Sequence, residues 1–161
     1  MIRSANADDV PVIHELICEL AEYEKARHEV RATTEQLRTS LFGPEPKVFA
    51  HVAEDGTGAV VGFALWFLTF STWRGVHGIY LEDLYVRPES RVDGHGRALL
   101  TELARICVER GYQRLEWAVL DWNEPAIGFY RSVGAVPMDE WTVFRLTDEP
   151  LQALGGRAGP A

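Results

Sequence analysis

Three apolar segments of strand length follow one another in the middle of the chain, at residues 48–53, 60–70 and 79–86. Between them stand turn signals: Asp55-Gly56 after the first segment, and a loop with two glycines at residues 72–78 after the second. Strands joined this closely pair antiparallel, because a parallel neighbour requires a crossover of about a dozen residues. The pattern therefore predicts an antiparallel arrangement at the centre of the fold.

Segments with helical period flank these strands. Asn6 and Thr33 are N-cap residue types, and each precedes a predicted helix. The remaining predicted elements are a strand at residues 2–3, a helix at 94–110 that ends at Gly111, a strand at 115–120, a helix from Asn123 to Val133 and a last strand at 141–146. The order β-α-α-β-β-β-α-β-α-β predicts a mixed α/β (α+β) fold, with a central, largely antiparallel sheet and helices on both faces.

Length and composition favour one globular domain. The 161 residues are 47% hydrophobic, and we expect a single domain over residues 1–154 with a flexible tail at 155–161. No apolar run approaches the roughly 18 residues of a membrane helix, and the first residues lack a signal-peptide core, so we expect a cytosolic (cytoplasmic) protein without a membrane partner.

Charge and ligand-type residues narrow the possible functions. A net charge of -8 makes the chain a poor non-specific partner for nucleic acid and compatible with a cationic small substrate. Cys18 and Cys107 are too few for a disulfide framework or a four-cysteine zinc site. The five histidines show no metal-ligand spacing, so the sequence predicts no metal.

The segment RVDGHG at residues 91–96 follows a predicted strand and opens a predicted helix. The start of a helix offers unpaired N–H groups and a positive dipole end, and glycine lets the backbone approach a phosphate closely. Arg91 and Arg97 add positive charge at its edges. From the residues alone this segment is either a phosphate-binding loop or an ordinary glycine-containing connection, since a single Gly-x-Gly is a weak signal.

Two further motifs accompany this loop. YLEDLYV at residues 80–86 precedes it as a predicted strand, and NEPAIGFY at residues 123–130 follows it as a predicted helix start. In this order and spacing the three motifs resemble those of the GCN5-related N-acetyltransferases (GNAT). With LAEYE at residues 20–24, the chain is most similar to the spermidine/spermine and thialysine acetyltransferase branch. The resemblance covers residues 2–154 and implies acetyl transfer from acetyl-CoA to an amine.

The resemblance also implies which residues bind acetyl-CoA. Backbone groups of Leu84 and Val86 would contact the pantetheine, and the loop would hold the pyrophosphate. Val92 and Asp93 depart from the branch, which carries a glycine at the first position, and Asp93 adds negative charge beside the pyrophosphate. The implied coenzyme residues are Leu84, Tyr85, Val86, Arg91, Val92, Asp93, Gly94, His95, Gly96, Arg97, Asn123, Ala126, Phe129, Tyr130 and Arg131.

Amide formation sets its own chemical requirements. An alkyl amine with a pKa of about 10.4 is mostly protonated at neutral pH, so a base must remove its proton. The departing thiolate accepts a proton from an acid. The resemblance assigns Glu82 as the base, acting through water, and Tyr130 as the acid, with the Leu84 N–H as an oxyanion donor. From the residues alone, Glu82 also fits a solvated sheet face and Tyr130 a packed aromatic.

The acceptor implied by the resemblance is a small-molecule amine that is cationic: a polyamine, a diamine, thialysine or a similar compound. The resemblance also implies a homodimer, with the strand at residues 141–146 packed across the subunit boundary. Two alternative functions remain, a protein or peptide amine acetyltransferase and a non-catalytic acyl-CoA sensor. The implied acceptor residues are Tyr23, Glu24, Glu82, Asp83, Glu116, Trp117 and Glu140.

Overall fold

A computed structural model describes residues 1–156 of the chain. Its strands are β1 (Ile2–Ser4), β2 (Phe49–Glu54), β3 (Val60–Ser71), β4 (Val76–Val86) and β5 (Leu115–Glu116). Its α-helices are α1 (Val10–Tyr23), α2 (Thr34–Phe42), α3 (His95–Arg110), α4 (Glu124–Ser132) and α5 (Asp148–Leu154). The chain forms two compact units, Met1–Leu120 and a smaller one that begins at Asp121. The single domain over residues 1–154 stays a prediction.

The five strands form one sheet in the order in which they occur along the chain. Neighbouring strands from β1 to β4 run antiparallel, and β5 pairs parallel with β4. The parallel step is possible because α3 provides the crossover between β4 and β5. The predicted mixed, largely antiparallel sheet is confirmed.

Helices cover both faces of this sheet. Ile13 and Leu16 of α1 and Leu41 of α2 form one buried cluster with the strand residues Ala50, Val52, Phe63, Leu65 and Tyr85. His51 lies between Ala50 and Val52, so its side chain faces the other side. On that side its Nε2 lies 4.0 Å from Glu102 of α3. The helices therefore pack as α1 and α2 against one face and α3 against the other.

Local capping signals begin and end the helices where the sequence predicts. Thr33 and Gln36 form a reciprocal capping box at the start of α2. The Asn6 side chain accepts a hydrogen bond from the Asp8 N–H, at the 3-10 turn that leads into α1. Gly111 ends α3 with a φ of 73°. These contacts lie within a few residues of one another, so the sequence alone contains the signal.

Several strand predictions require correction. The predicted strand at residues 141–146 is wrong: the structure has no strand there, and Trp141, Val143, Phe144 and Leu146 are exposed. An apolar segment becomes a strand only when it pairs with a neighbour, and none pairs with it in the described chain. The strand predicted for 115–120 is limited to Leu115–Glu116, and β4 begins at Val76, within the predicted loop, because Val76 pairs with Ser71.

The end of the chain contains a helix that the sequence analysis did not predict. This helix, α5, follows the exposed segment, and Gly155 caps its C-terminus. Gly155 and Gly156 therefore belong to the described part of the predicted tail, and the rest of that tail, residues 157–161, lies outside the described residues.

Two features are absent from residues 1–156. No helix in this range combines the length and apolar character needed to cross a membrane. The same range holds no group of three or more His, Cys, Asp or Glu side chains placed to bind a metal ion. The cytosolic location stays a prediction.

Candidate active site

A β-bulge interrupts β4 at the predicted base. Leu65 of β3 pairs with Asp83, whereas the next residue, Trp66, pairs with Leu81. Glu82 is therefore the extra residue on β4, and its side chain is exposed. A bulge bends a strand, increases its local twist and re-aims side chains, and bulges are frequent beside active sites. Periodicity in the sequence does not reveal this bulge, because it depends on how β3 pairs with β4.

The pairing of β4 with β3 beyond the bulge determines which backbone groups of β4 face away from β3. The Arg87 N–H donates to the Val61 carbonyl of β3 at 2.9 Å. Because successive residues of an antiparallel strand alternate in direction, the N–H and C=O groups of Val86 and Leu84 point to the opposite edge. In the described chain β5 pairs with β4 only at Ile79 and Tyr80, so it does not cover this edge. An extended ligand can therefore hydrogen-bond along β4 here.

The glycine-containing loop forms the start of α3. A 3-10 turn over Pro88–Asp93 ends at Gly94, whose φ of 76° lies in the left-handed region that favours glycine. No side chain of the described residues caps α3. The N–H groups of His95, Gly96 and Arg97 belong to the first turn, which a helix leaves without intrahelical acceptors. A Cβ built on Gly96 would meet only the Val86 Cγ2 within 4 Å, at 3.9 Å. The open backbone fits a pyrophosphate group.

Arg91 is held between aromatic rings at one side of this loop. Its guanidinium carbon lies 5.4 Å from the centre of the Tyr23 ring and 5.6 Å from that of Tyr85. Its Nε donates a hydrogen bond of 2.9 Å to the Val86 carbonyl. Arg91 thus connects the loop to the end of α1 and to β4. The sequence analysis identified its charge but missed its tyrosine partners, which come from elements far apart in the sequence.

The side chains around the two glycines differ in their exposure. Val92 and Asp93, the two departures from the branch pattern, are exposed residues of the 3-10 turn. The His95 side chain is largely buried, and its Nε2 has no hydrogen-bond partner among the described residues. That nitrogen lies 3.9 Å from Asp93 Oδ2. The negative charge of Asp93 therefore lies in the turn before the helix start, beside the His95 ring.

Three carboxylates meet beside the bulge. Burial, followed by the charges of Glu82 and Glu24, raises the pKa of Asp83 from 3.8 to about 6. Burial also raises the pKa of Glu24, the residue that caps the C-terminus of α1. A bound cation would relieve this electrostatic strain, because an opposite charge nearby favours the ionised carboxylate. The structure thus brings together three residues that the sequence analysis assigned to the acceptor.

Two further acceptor candidates lie on or next to β5. Glu116 pairs with Tyr80 of β4, and its carboxylate lies 4.0 Å from an Arg114 guanidinium nitrogen. Its side chain is partly exposed, as is that of Trp117, the residue that follows β5. The short parallel pairing therefore places Glu116 opposite Tyr80, which lies two residues before the bulge residue Glu82 on β4.

The remaining candidate residues belong to the second unit. The Asn123 side chain accepts a hydrogen bond of 3.4 Å from the Ala126 N–H and so begins α4. Tyr130 lies near the end of α4, half-buried, with its ring centre 5.5 Å from that of Phe129. Arg131 and Glu140 are exposed. Asn123 is therefore the N-cap of α4, at the helix start that the sequence predicts.

The family follows from comparison with known proteins. Residues 11–135 match the model of the Acetyltransferase (GNAT) family, so the chain belongs to this family. The protein is therefore an N-acetyltransferase with a GNAT fold. The resemblance stated from the three motifs is confirmed.

Individual relatives place the chain within that family. It is 40% identical to a thialysine N-epsilon-acetyltransferase of Bos taurus, over 98% of each chain. It is 32% identical to the L-ornithine N5-acetyltransferase NATA1 of Arabidopsis thaliana, over 95% of this chain and 86% of the relative. An integron cassette protein from the mobile metagenome of V. cholerae superposes with a TM-score of 0.79 at 25% identity, over 97% of each chain. The thialysine acetyltransferase branch predicted from the motifs is also confirmed.

Proposed function

We propose that the protein transfers the acetyl group of acetyl-CoA to a primary amine of a small cationic acceptor, such as thialysine, ornithine or a polyamine. The observation that carries this proposal is the group formed by Glu24, Glu82 and Asp83, in which burial and neighbouring charge raise the pKa of Asp83 to about 6. This group lies beside a strand edge that leads to the start of α3, which no side chain of residues 1–156 caps. Relatives that act on thialysine and ornithine support an acceptor of this class.

Acetyl-CoA binds to β4 and to the start of α3 in this proposal. The first-turn N–H groups of α3 hold the pyrophosphate, since they combine free donors with the positive end of the helix dipole. The backbone groups of Leu84 and the N–H of Val86 point away from β3 and bind the pantetheine, while the Val86 carbonyl accepts from Arg91. The Leu84 N–H then donates to the thioester carbonyl oxygen, whose negative charge grows as the tetrahedral intermediate forms.

The chemical step is a direct transfer. Glu82 accepts a proton from the acceptor ammonium through a water molecule, and the neutral nitrogen attacks the thioester carbonyl carbon. When the tetrahedral intermediate collapses, the C–S bond breaks and the thiolate takes a proton from the Tyr130 hydroxyl. The nitrogen gives up its second proton, which restores the Tyr130 hydroxyl. The C–N bond remains, and the products are an N-acetyl amine and free CoA. Glu24 and Asp83 bind the second positive charge of the acceptor in this proposal. Tyr23, Glu116, Trp117 and Glu140 are its further acceptor residues.

The proposal includes a homodimer. The segment at residues 141–146 places Trp141, Val143 and Phe144 in solvent within one chain, and Phe144 is 93% exposed. An exposed apolar patch of this kind is typical of an interaction surface. A second copy of the chain would remove these side chains from water.

Turnover of acetyl-CoA against a panel of amines tests the proposed function. The panel contains thialysine, ornithine, spermidine and a lysine-containing peptide, and release of the free CoA thiol is the signal. We expect turnover with at least one of the small amines and a higher kcat/KM for it than for the peptide. A higher kcat/KM for the peptide supports a protein acetyltransferase instead. Binding of acetyl-CoA with no turnover on any amine supports a non-catalytic sensor.

A further inference from the structure

A row of side chains on α1 faces the end of β4. Glu15, Glu19 and Tyr23 stand four residues apart, so they lie on one face of the helix. The two glutamates pair with Arg87, the residue after β4, and the Tyr23 ring packs against the guanidinium of Arg91. Arg87 begins the 3-10 turn that leads into α3, and Arg91 belongs to that turn. Two contacts of this row therefore attach α1 to the turn before α3.

Arg87 binds Glu19 through both edges of the carboxylate. Its Nε donates to the two Glu19 oxygens at 3.1 and 3.2 Å, and its Nη2 donates to Oε1 at 2.9 Å. Nη2 also donates to Glu15 Oε2 at 3.3 Å. The Arg87 and Glu19 side chains are 25% and 34% exposed, so the surrounding protein shields part of the pair from water. A planar guanidinium that meets a carboxylate in this way fixes direction as well as distance.

The backbone of Arg87 is also held in place. Its N–H donates to the Val61 carbonyl of β3, and its carbonyl accepts from the Ser90 N–H, both at 2.9 Å. Arg87 therefore joins β3, the turn before α3 and α1. Because the sheet and the turn fix its backbone, its side chain determines where Glu19 lies.

The second half of α1 has few other attachments to the sheet. The buried residues of α1 all lie in its first half, and they are Val10, Ile13 and Leu16. Further along the helix, Ile17 and Leu20 are only partly buried against the core. The helix ends at Glu24, whose charge contributes to the raised pKa of Asp83 on β4. A shift of this end of α1 therefore moves Glu24 relative to Asp83.

From these contacts we infer that Arg87 is a positioning residue of the acceptor site. Acting through Glu19, it sets the place where α1 ends and thereby the distance between Glu24 and Asp83. This role rests on the proposed function, in which these two carboxylates bind the second positive charge of the acceptor. Arg87 thus contributes to the recognition of that charge without touching either substrate.

The preference for a second charge on the acceptor tests this role. It is measured as the ratio of kcat/KM for 1,4-diaminobutane to that for 4-amino-1-butanol, because only the diamine carries the second charge. In Arg87→Met we expect the ratio to fall by at least about threefold through a higher KM for the diamine, since a small misplacement by a distant residue weakens recognition. The kcat for the diamine should stay within about twofold, because Glu82 and Tyr130 are unchanged. Arg87→Lys keeps the charge without the guanidinium plane and should restore part of the ratio.

Two glutamate variants on the same helix separate position from charge. Glu19→Gln should lower the ratio as Arg87→Met does, and the double variant should be no worse than either single variant, because all three lose the same contact. Glu22→Gln removes an equal charge from an exposed residue nearer the end of α1 and should keep the wild-type ratio. An equal fall in Glu22→Gln would assign the effect to net charge and overturn the inference.

The wild-type ratio distinguishes this inference from the proposed function. A wild-type ratio near one contradicts the proposed acceptor, and the role of Arg87 with it. A clear wild-type preference that survives in folded Arg87→Met overturns the role of Arg87 alone, since a merely structural residue would change stability and leave the ratio unchanged. If Arg87→Met does not fold, Glu19→Gln, which keeps the size of its side chain, decides in the same way.

Discussion

The carboxyl group of Asp83 lies in surroundings that disfavour its charge. Its pKa of about 6 in the fold compares with an ordinary value of 3.8. Between these pH values the folded protein keeps a proton that the unfolded chain releases, so the contribution of Asp83 to stability is fully present below about pH 4 and is lost as the pH rises through about 6. Ionised Asp83 in the proposed acceptor site therefore lowers the stability of the fold at neutral pH, as functional sites often do.

Asp83→Asn should stabilise the protein at neutral and high pH. The amide is a neutral isostere, so the free energy of unfolding at about pH 8 should rise by about 1–3 kcal/mol, whereas near pH 4 the variant and the wild type should agree. Urea denaturation at both pH values provides the measurement. Asp139→Asn, at an exposed turn residue, should change it by less than about 0.5 kcal/mol at either pH. A destabilised Asp83→Asn at pH 8 would contradict the assigned environment.

Removing the hydroxyl oxygen of Tyr130 tests whether this residue is the proposed acid. Tyr130→Phe keeps the ring beside Phe129 and should lower kcat by about 10²–10⁴ while the acetyl-CoA affinity stays within about threefold. Steady-state turnover and calorimetric titration give the two quantities. Tyr112→Phe removes a hydroxyl outside the proposed site and should leave kcat within about twofold. Wild-type turnover in a folded Tyr130→Phe would make Tyr130 a packing residue.

The start of α3 is the element that tests coenzyme binding. In Gly96→Val the new Cβ would meet only the Val86 Cγ2 within 4 Å, so the fold should be kept while the side chain blocks the approach of the pyrophosphate. We expect a loss of acetyl-CoA affinity of at least about tenfold by calorimetry. Gly94 is a poorer test, since its φ of 76° strains any other residue. Gly56→Val, in an open turn outside the site, is the control; equal affinity in both variants would refute the loop assignment.

Elements whose signals are local were predictable from the sequence. The capping box at Thr33 and the caps at Gly111 and Asn123 involve neighbouring residues, and the helices begin or end there. Features that depend on pairing or tertiary contact were not predictable. The segment at 141–146 has strand composition without a partner strand, and the bulge at Glu82 comes from the register between β3 and β4.

The residues of the site also divide into those with a local sequence signal and those that depend on tertiary contacts. Through family resemblance, the motifs predict that the loop, the β4 strand and the α4 helix contribute to the site. The comparisons confirm the family. The raised pKa of Asp83 depends on burial first and then on the charges of Glu82 and Glu24. The position of Arg91 depends on Tyr23 and Tyr85. No short sequence pattern predicts these contacts, because they form only when the helices pack on the sheet.

At the scale of the whole molecule, the exposed segment at 141–146 predicts assembly. Light scattering at micromolar concentration should give twice the 18.1 kDa mass of one chain. Phe144→Ser should shift the mass toward 18.1 kDa, because it removes a 93% exposed ring from the proposed interface. Trp73→Ser, at an 86% exposed aromatic in the β3–β4 turn, should leave the dimer intact. A wild-type mass near that of one chain would exclude the proposed homodimer.

We propose that the protein acetylates an amine whose second positive charge binds beside Asp83. The most direct measurement compares 1,4-diaminobutane with 4-amino-1-butanol, which have the same reacting amine and differ in the charge at the other end. We expect a kcat/KM at least about tenfold higher for the diamine, and this preference should shrink as salt screens the carboxylates. Equal kcat/KM for the two amines at low salt would contradict it.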